Sequence, residues 1–261
     1  MQYGAITEHM DVAQVVLYVF WVFFAGLIFY LRQEDRREGY PLENAKTGQV
    51  GANFWPMIPD AKTYLLPHGH GKKMLPNAVR DTRPVQGTPV GLNPGAPLEP
   101  IGNPLLAGVG PGSWAERSDT PDLTHLGHPK IVPMSKAHGY TIASGDPDPR
   151  GLPVKGVDNR VGGTVTDLWV DQAEHFVRYL EVKVGEGAAS RQVLLPITFS
   201  LVRASAQMPH VYVNAITSKQ FADVPQTRSP EQITLLEEDK VAAYYGAGQL
   251  WAYPGRNEPL L

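Results

Sequence analysis

The chain has 261 residues, a formal net charge of −3 and no cysteine. The missing cysteine excludes disulfides, thiolate metal sites and cysteine nucleophiles, and the near-neutral charge lacks the basic surplus of a nucleic-acid binder. The length suffices for one or two domains with a real core, while 26 glycines and 24 prolines imply that much of the chain is irregular.

The first element is Val12–Leu31, VAQVVLYVFWVFFAGLIFYL, in which Gln14 is the only strongly polar side chain. At ~1.5 Å per residue a helix of this length spans ~30 Å, the thickness of a bilayer's hydrocarbon core. A helix also satisfies its own backbone groups, as lipid demands. Tyr18, Trp21 and Tyr30 add amphipathic rings, Tyr30 where an interface belt is expected. A cleaved signal peptide needs a basic start and a shorter apolar run, whereas this leader carries Glu8 and Asp11 and no Lys or Arg. A buried amphipathic helix needs a polar face, and there is none. Arg32, Arg36 and Arg37 follow the span. By the positive-inside rule the N-terminus is outside and the C-terminal bulk cytoplasmic.

From 32 to 111 prolines and glycines are scattered through stretches such as FWPMIPDAK, LLPHGHGKK and GLNPGAPLEPIGNPLL, a spacing that breaks helices and central strands. Phe54, Trp55, Tyr64, Leu65 and Leu66 are too apolar for a solvated tether, so the segment reads as an extended arm laid over a partner. From Lys130 short strands are expected at Lys130–Met134, Gly163–Val170, Val177–Val184, Gln192–Ile197 and Val211–Ile216, separated by turn residues. Their spacing suggests a small antiparallel barrel or sandwich. A helix follows over LLEEDKVAAYY, with Thr234 and Glu237 as a capping box, Ser229 and Gln232 as a second candidate, and Gly246 as the stop.

No nucleotide-binding glycine loop, serine elbow or paired-His zinc helix is present. His68-Gly-His70 is the nearest metal-like pattern, and it reads as polar loop. Acidic and histidine groups are more informative. Asp122, His125 and His128 share one loop; Asp167, Asp171 and Glu174 surround the end of a strand; Glu237, Glu238 and Asp239 begin the late helix, where the macrodipole alone would favour them. Alternation puts Asp167, Trp169 and Asp171 on one strand face. If a partner covers that face, desolvation and like charges raise the carboxylate pKa values, and such groups titrate together and pass protons near neutral pH.

Taken together, DVAQVVLYVFWVFFAGLIFYL, REGYPLEN, LLPHG, GNPLLAGVGPGSWAER, KIVPM, GDPDPRGLPV, GTVTDLWVD, RYLEV, FADVP and ITLLEEDKVAAYYGAG, collinear from Asp11 to about Tyr253, closely resemble the H subunit of the photosynthetic reaction centre of purple bacteria. The barrel part resembles a PRC-barrel domain. The resemblance implies a fold of one N-terminal transmembrane α-helix plus a mainly β cytoplasmic domain, a PRC-barrel-like small antiparallel barrel, with a C-terminal helix. The expected divisions are a periplasmic N-terminus at 1–11, the span at 12–31, the Pro/Gly-rich segment at 32–111 and the barrel domain at 112–261.

The resemblance further implies a non-pigmented subunit with no catalytic centre and no cofactor of its own. The complex around it would carry bacteriochlorophyll, bacteriopheophytin, quinones, non-haem iron and carotenoid. Its partners would be the L and M subunits, surrounding light-harvesting antenna subunits and membrane lipids, with no nucleic acid. Its place would be the intracytoplasmic (chromatophore) or inner membrane of a purple bacterium, as a single-pass subunit. It would cap the cytoplasmic face of L and M, shield the quinone sites and assist proton delivery to the secondary quinone. The proton-transfer positions carried over are Asp122, His125, His128, Asp171, Glu174, Arg178 and Glu238. Two departures bear on that route. Some members have His-Gly-His where this chain reads His125-Leu126-Gly127-His128. Members with an acid near 232 have Gln232 here, which cannot titrate, so a relay there would use water or Glu231. Two other functions compete with this one: a membrane-tethered enzyme using the loop histidines and acids, and an RNA-processing PRC-barrel protein, against which the span and the acidic balance speak.

Overall fold

The computed structural model describes every residue except 1–3, 8–9, 43, 45–46, 48, 51–56, 78, 80, 94, 205–206 and 257–261; Phe54 and Trp55 of the expected apolar arm lie outside the described residues. Contacts divide the chain into two compact units, residues 1–80 with 93–95, and residues 81–92 with 96–261.

In the first unit β1 (Ala5–Thr7) and β2 (Met10–Asp11) form a short antiparallel ladder. The apolar run then forms α1 (Val12–Glu34), which continues past the expected end at Leu31. Asp11 caps it, its carboxylate accepting the Gln14 N–H at 2.7 Å. No α1 side chain is buried within the chain, and Phe20 and Phe24 stack along its surface with centroids 5.8 Å apart. Such a helix, apolar all round and uncovered, needs lipid or a neighbouring helix.

A hairpin stands within the Pro/Gly-rich region. β3 (Lys62–Leu65) and β4 (Lys72–Leu75) pair as a hairpin, with His68-Gly-His70 at its tip and His68 at φ 55°. Arg37 ties the hairpin's base to the helix end. It forks onto Glu34 at 2.8 and 2.9 Å and donates to the carbonyls of Asp60 and Leu75 at 2.7 and 3.1 Å.

The second unit opens with a hairpin of β5 (Gly87–Pro89) and β6 (Leu98–Pro100). A sheet of β7 (Ile131–Pro133), β8 (Pro153–Lys155), β9 (Val161–Asp171), β10 (Phe176–Val184), β11 (Arg191–Pro196), β12 (Ser200–Arg203) and β13 (His210–Val213) follows. Its order is β11-β10-β9-β8-β13-β12, with β7 also on β9. All pairings are antiparallel except β8–β13, and among the described residues no ladder closes β11 onto β12, so the sheet is an open version of the expected barrel. The long pair β9–β10 is the spine. Bulges at Thr166 and Arg178 add twist and let it curl around Leu168, Leu180, Val182, Leu195 and Val211, all buried.

α2 (Leu235–Trp251) packs into the same core through Val241, Tyr244 and Tyr245. Thr234 and Glu237 make the expected capping box, whereas Ser229 only accepts the Glu231 N–H and caps nothing. Gly246 does not stop the helix, which runs five residues further to Trp251. Its glycine has another cause: an added Cβ would lie 2.8 Å from the carbonyl oxygen of Pro111, and one at Gly112 would lie 2.9 Å from the Ala247 Cβ. The segment before the barrel thus crosses α2 where neither backbone tolerates a side chain.

Candidate functional site

The site grows from the end of β9. Asp171 has no exposed surface, and one of its carboxylate oxygens accepts the backbone N–H of Ala173 at 2.9 Å and of Glu174 at 3.0 Å. This Asx turn presents Glu174 to solvent. His175 completes it in the left-handed region at φ 57°, its N–H on the Asp171 carbonyl at 2.8 Å. The chain itself buries Asp171; no partner is needed to desolvate it.

Pairing of β7 with β9 sets Ile131 opposite Asp171 and so brings Lys130 to the turn. The Lys130 Nζ lies 3.3 Å from Glu174, 3.5 Å from the second oxygen of Asp171 and 3.8 Å from Asp122. That second oxygen is buried and receives no hydrogen bond, so the ammonium is its only nearby compensation among the described residues. Burial pulls the Lys130 pKa down, but the charges of Asp171, Glu174 and Asp122 outweigh burial and hold it above the ordinary lysine value. Sequence reasoning passed over Lys130, which opens KIVPM; only the β7–β9 pairing shows that it gathers three acids from two distant segments.

Asp122 anchors the other side. Its carbonyl accepts the Lys130 N–H at 2.8 Å, closing a turn in which His125 and His128 are exposed. Thr124 holds this turn through its N–H to the His128 carbonyl at 2.8 Å. The histidines therefore stand at the solvent side of the cluster, beyond its acidic base.

Glu238, in the first turn of α2, accepts a 2.8 Å hydrogen bond from the Tyr179 hydroxyl. Desolvation raises its pKa, against the opposing pull of that hydrogen bond and of Arg178; the charge of Asp122 raises it further. Burial likewise pushes the Tyr179 hydroxyl far up, so it stays a donor. Arg178 is the bulge residue of β10, its guanidinium 5.3 Å from the Phe176 ring centroid. The neighbouring acids take other roles. Asp167 accepts the Ser135 N–H at 3.3 Å, Glu237 closes the helix cap, and Asp239 accepts the Ala115 N–H at 3.1 Å. Glu231 pairs with Lys136 at 3.4 Å, and Gln232 is half-buried. Among the described residues no group of three or more His, Asp or Glu side chains has a metal-binding arrangement, His68 and His70 included.

The open, mainly β sheet with its docked helix agrees with a family match: a PRC-barrel domain matches residues 143–220. The part that carries the apolar helix is more specific: the family model for the photosynthetic reaction centre, H-chain N-terminal region, matches residues 4–136. That is half of the chain, and the chain belongs to the reaction-centre H-chain family. Among the described residues one helix, α1, is long and apolar enough to cross a membrane, which together with the family supports a membrane-anchored subunit of a photosynthetic complex.

Proposed function

We propose that this chain, without a catalytic centre or cofactor of its own, caps the cytoplasmic face of the L and M subunits in a purple-bacterial reaction centre. In that place it shields the quinone sites and delivers protons from the cytoplasm to the secondary quinone. Antenna subunits and lipids surround the complex, whose pigments, quinones and iron are held by the other subunits. The observation that carries the proton role is the convergence of Asp122, Asp171 and Glu174 on Lys130.

The chemistry follows from the graded exposure of these groups. Glu174 and the rings of His125 and His128 are exposed to water. Asp171 is buried, with one oxygen fixed by backbone donors and the other 3.5 Å from the ammonium. Protonating Glu174 cancels its charge and frees Lys130 to lean on Asp171; deprotonation restores the first arrangement. The cluster thereby takes up a proton at its rim while keeping a compensated charge inside. Glu238, with its raised pKa, is a second acceptor at the same end of the sheet.

Glu174→Gln is expected to slow the proton-coupled transfer of the second electron to the quinone several-fold, and adding Asp171→Asn should deepen the effect. Flash-induced kinetics read this directly, and unchanged rates in both variants would remove the cluster from the path. A near-infrared spectrum of the complex isolated through a tag on this chain tests the assembly itself; without bacteriochlorophyll bands the whole reading fails.

A further inference from the structure

We propose that the β3–β4 hairpin is a second membrane contact, its outward face resting on anionic lipid headgroups beside the anchor helix. The inference rests on the reading of α1 as a membrane span.

The register fixes the two faces. Thr63 pairs with Met74 and Leu65 with Lys72, so these four share one face; Lys62, Tyr64, Lys73 and Leu75 share the other. The second face is engaged. Lys62 reaches Glu34 at 2.7 Å, and Tyr64, Lys73 and Leu75 line one groove with Glu34 and Arg37. Among the described residues of its unit the first face has no cover: Leu65 is 75 % and Met74 55 % exposed. A two-stranded ribbon in water would carry polar residues there.

Charge names the occupant. Residues 61–75 hold Lys62, Lys72, Lys73, His68 and His70 and no acidic side chain; Lys62 is paired with Glu34 and Lys73 faces the groove with Glu34 and Glu38, which leaves Lys72, without an ion pair among the described residues, as the cation of the outward face. Leucine and methionine beside a lysine, whose stem lies along apolar surface while its head stays in water, suit the boundary between acyl chains and anionic headgroups. Position agrees with charge. Arg37 holds the carbonyls of Asp60 and Leu75, at the hairpin's open end, against the last turn of α1, just past the expected hydrocarbon edge at Leu31. The base of the hairpin therefore sits at headgroup level.

The test places a benzophenone amino acid at position 65 of the full chain and irradiates intact membranes. A phospholipid adduct is expected there and not at the exposed control positions 126 and 208. For the purified full chain in nanodiscs, adding phosphatidylglycerol to phosphatidylcholine should raise the yield. Lys72→Gln, on the outward face, should lower it by about five-fold. An adduct to a polypeptide, or no lipid adduct, overturns the inference: the face is then covered by protein or by water. Alkaline carbonate washing separates the two levels. A chain that washes out of the membrane sinks the anchor reading itself; a chain that stays, without a lipid adduct at 65, sinks only the hairpin contact.

Discussion

At the level of single residues, Glu238 offers the sharpest linkage between protonation and stability. Desolvation raises its folded pKa above the unfolded value, despite the Tyr179 hydrogen bond. The folded state therefore keeps the proton to higher pH. The stability this group contributes is complete below the ordinary carboxylate range and is lost as pH rises through the folded pKa. Glu238→Gln retains an acceptor for the Tyr179 hydroxyl and never ionises. Urea titrations followed by tryptophan fluorescence should find the variant more stable than the parent at about pH 8 and indistinguishable near pH 4. A variant less stable at the higher pH would mean that Arg178 and Arg117 hold Glu238 ionised. The residues of this cluster were unequally legible. Asp122, Asp171, Glu174 and Glu238 stand out in the sequence as acids in loops and at element ends, whereas Lys130 and Tyr179 read only as ordinary strand residues of KIVPM and RYLEV. Their partners arrive through strand pairing and helix docking, which no local pattern encodes.

At the level of elements, α2 shows which signals are local and which are not. Its start is written in four adjacent residues: Thr234 accepts the Glu237 N–H at 3.2 Å, and the Glu237 carboxylate accepts the Thr234 N–H at 3.0 Å. Thr234 also donates to Asp119 at 2.9 Å, so Thr234→Ala should cost about 1–2 kcal/mol in urea unfolding, the usual loss for a cap. Its end was misread, because Gly246 looks like a terminator but serves the crossing with Pro111. Helix propensity alone would make Gly246→Ala stabilising by about 1 kcal/mol; the blocked Cβ position should instead make it destabilising by about 1–2 kcal/mol. The exposed Ala242→Gly on the same helix should also destabilise, by about 1 kcal/mol. Losses in both directions at nearby positions would identify packing as the cause at 246. In the sheet, the five expected strands are all present, because β-branched runs between turns are a local signal. β8 and β12 were not foreseen: three- and four-residue strands such as PVK and SLVR carry no readable alternation, and the parallel β8–β13 pairing follows from tertiary packing alone.

At the level of the whole molecule, function depends on which side of the membrane the second unit occupies. α1 carries no charge from Val12 to Leu31 and is followed by Arg32, Arg36 and Arg37, so the positive-inside rule sends residue 10 and residue 126 to opposite sides. The absence of cysteine makes this testable on the full chain with single substitutions at exposed positions, Met10→Cys and Leu126→Cys. A membrane-impermeant maleimide should label position 126 in inside-out vesicles and position 10 only in right-side-out ones. Position 126 lies between His125 and His128, so the label also reports the side on which the rim of the acidic cluster meets water. The opposite pattern would leave the fold and the family intact but put Glu174 and Asp171 on the side where protons are released, and the uptake role would have to be abandoned. Proton delivery thus rests on two separable facts, the convergence on Lys130 within one unit and the charge asymmetry around one helix, and either one can fail alone.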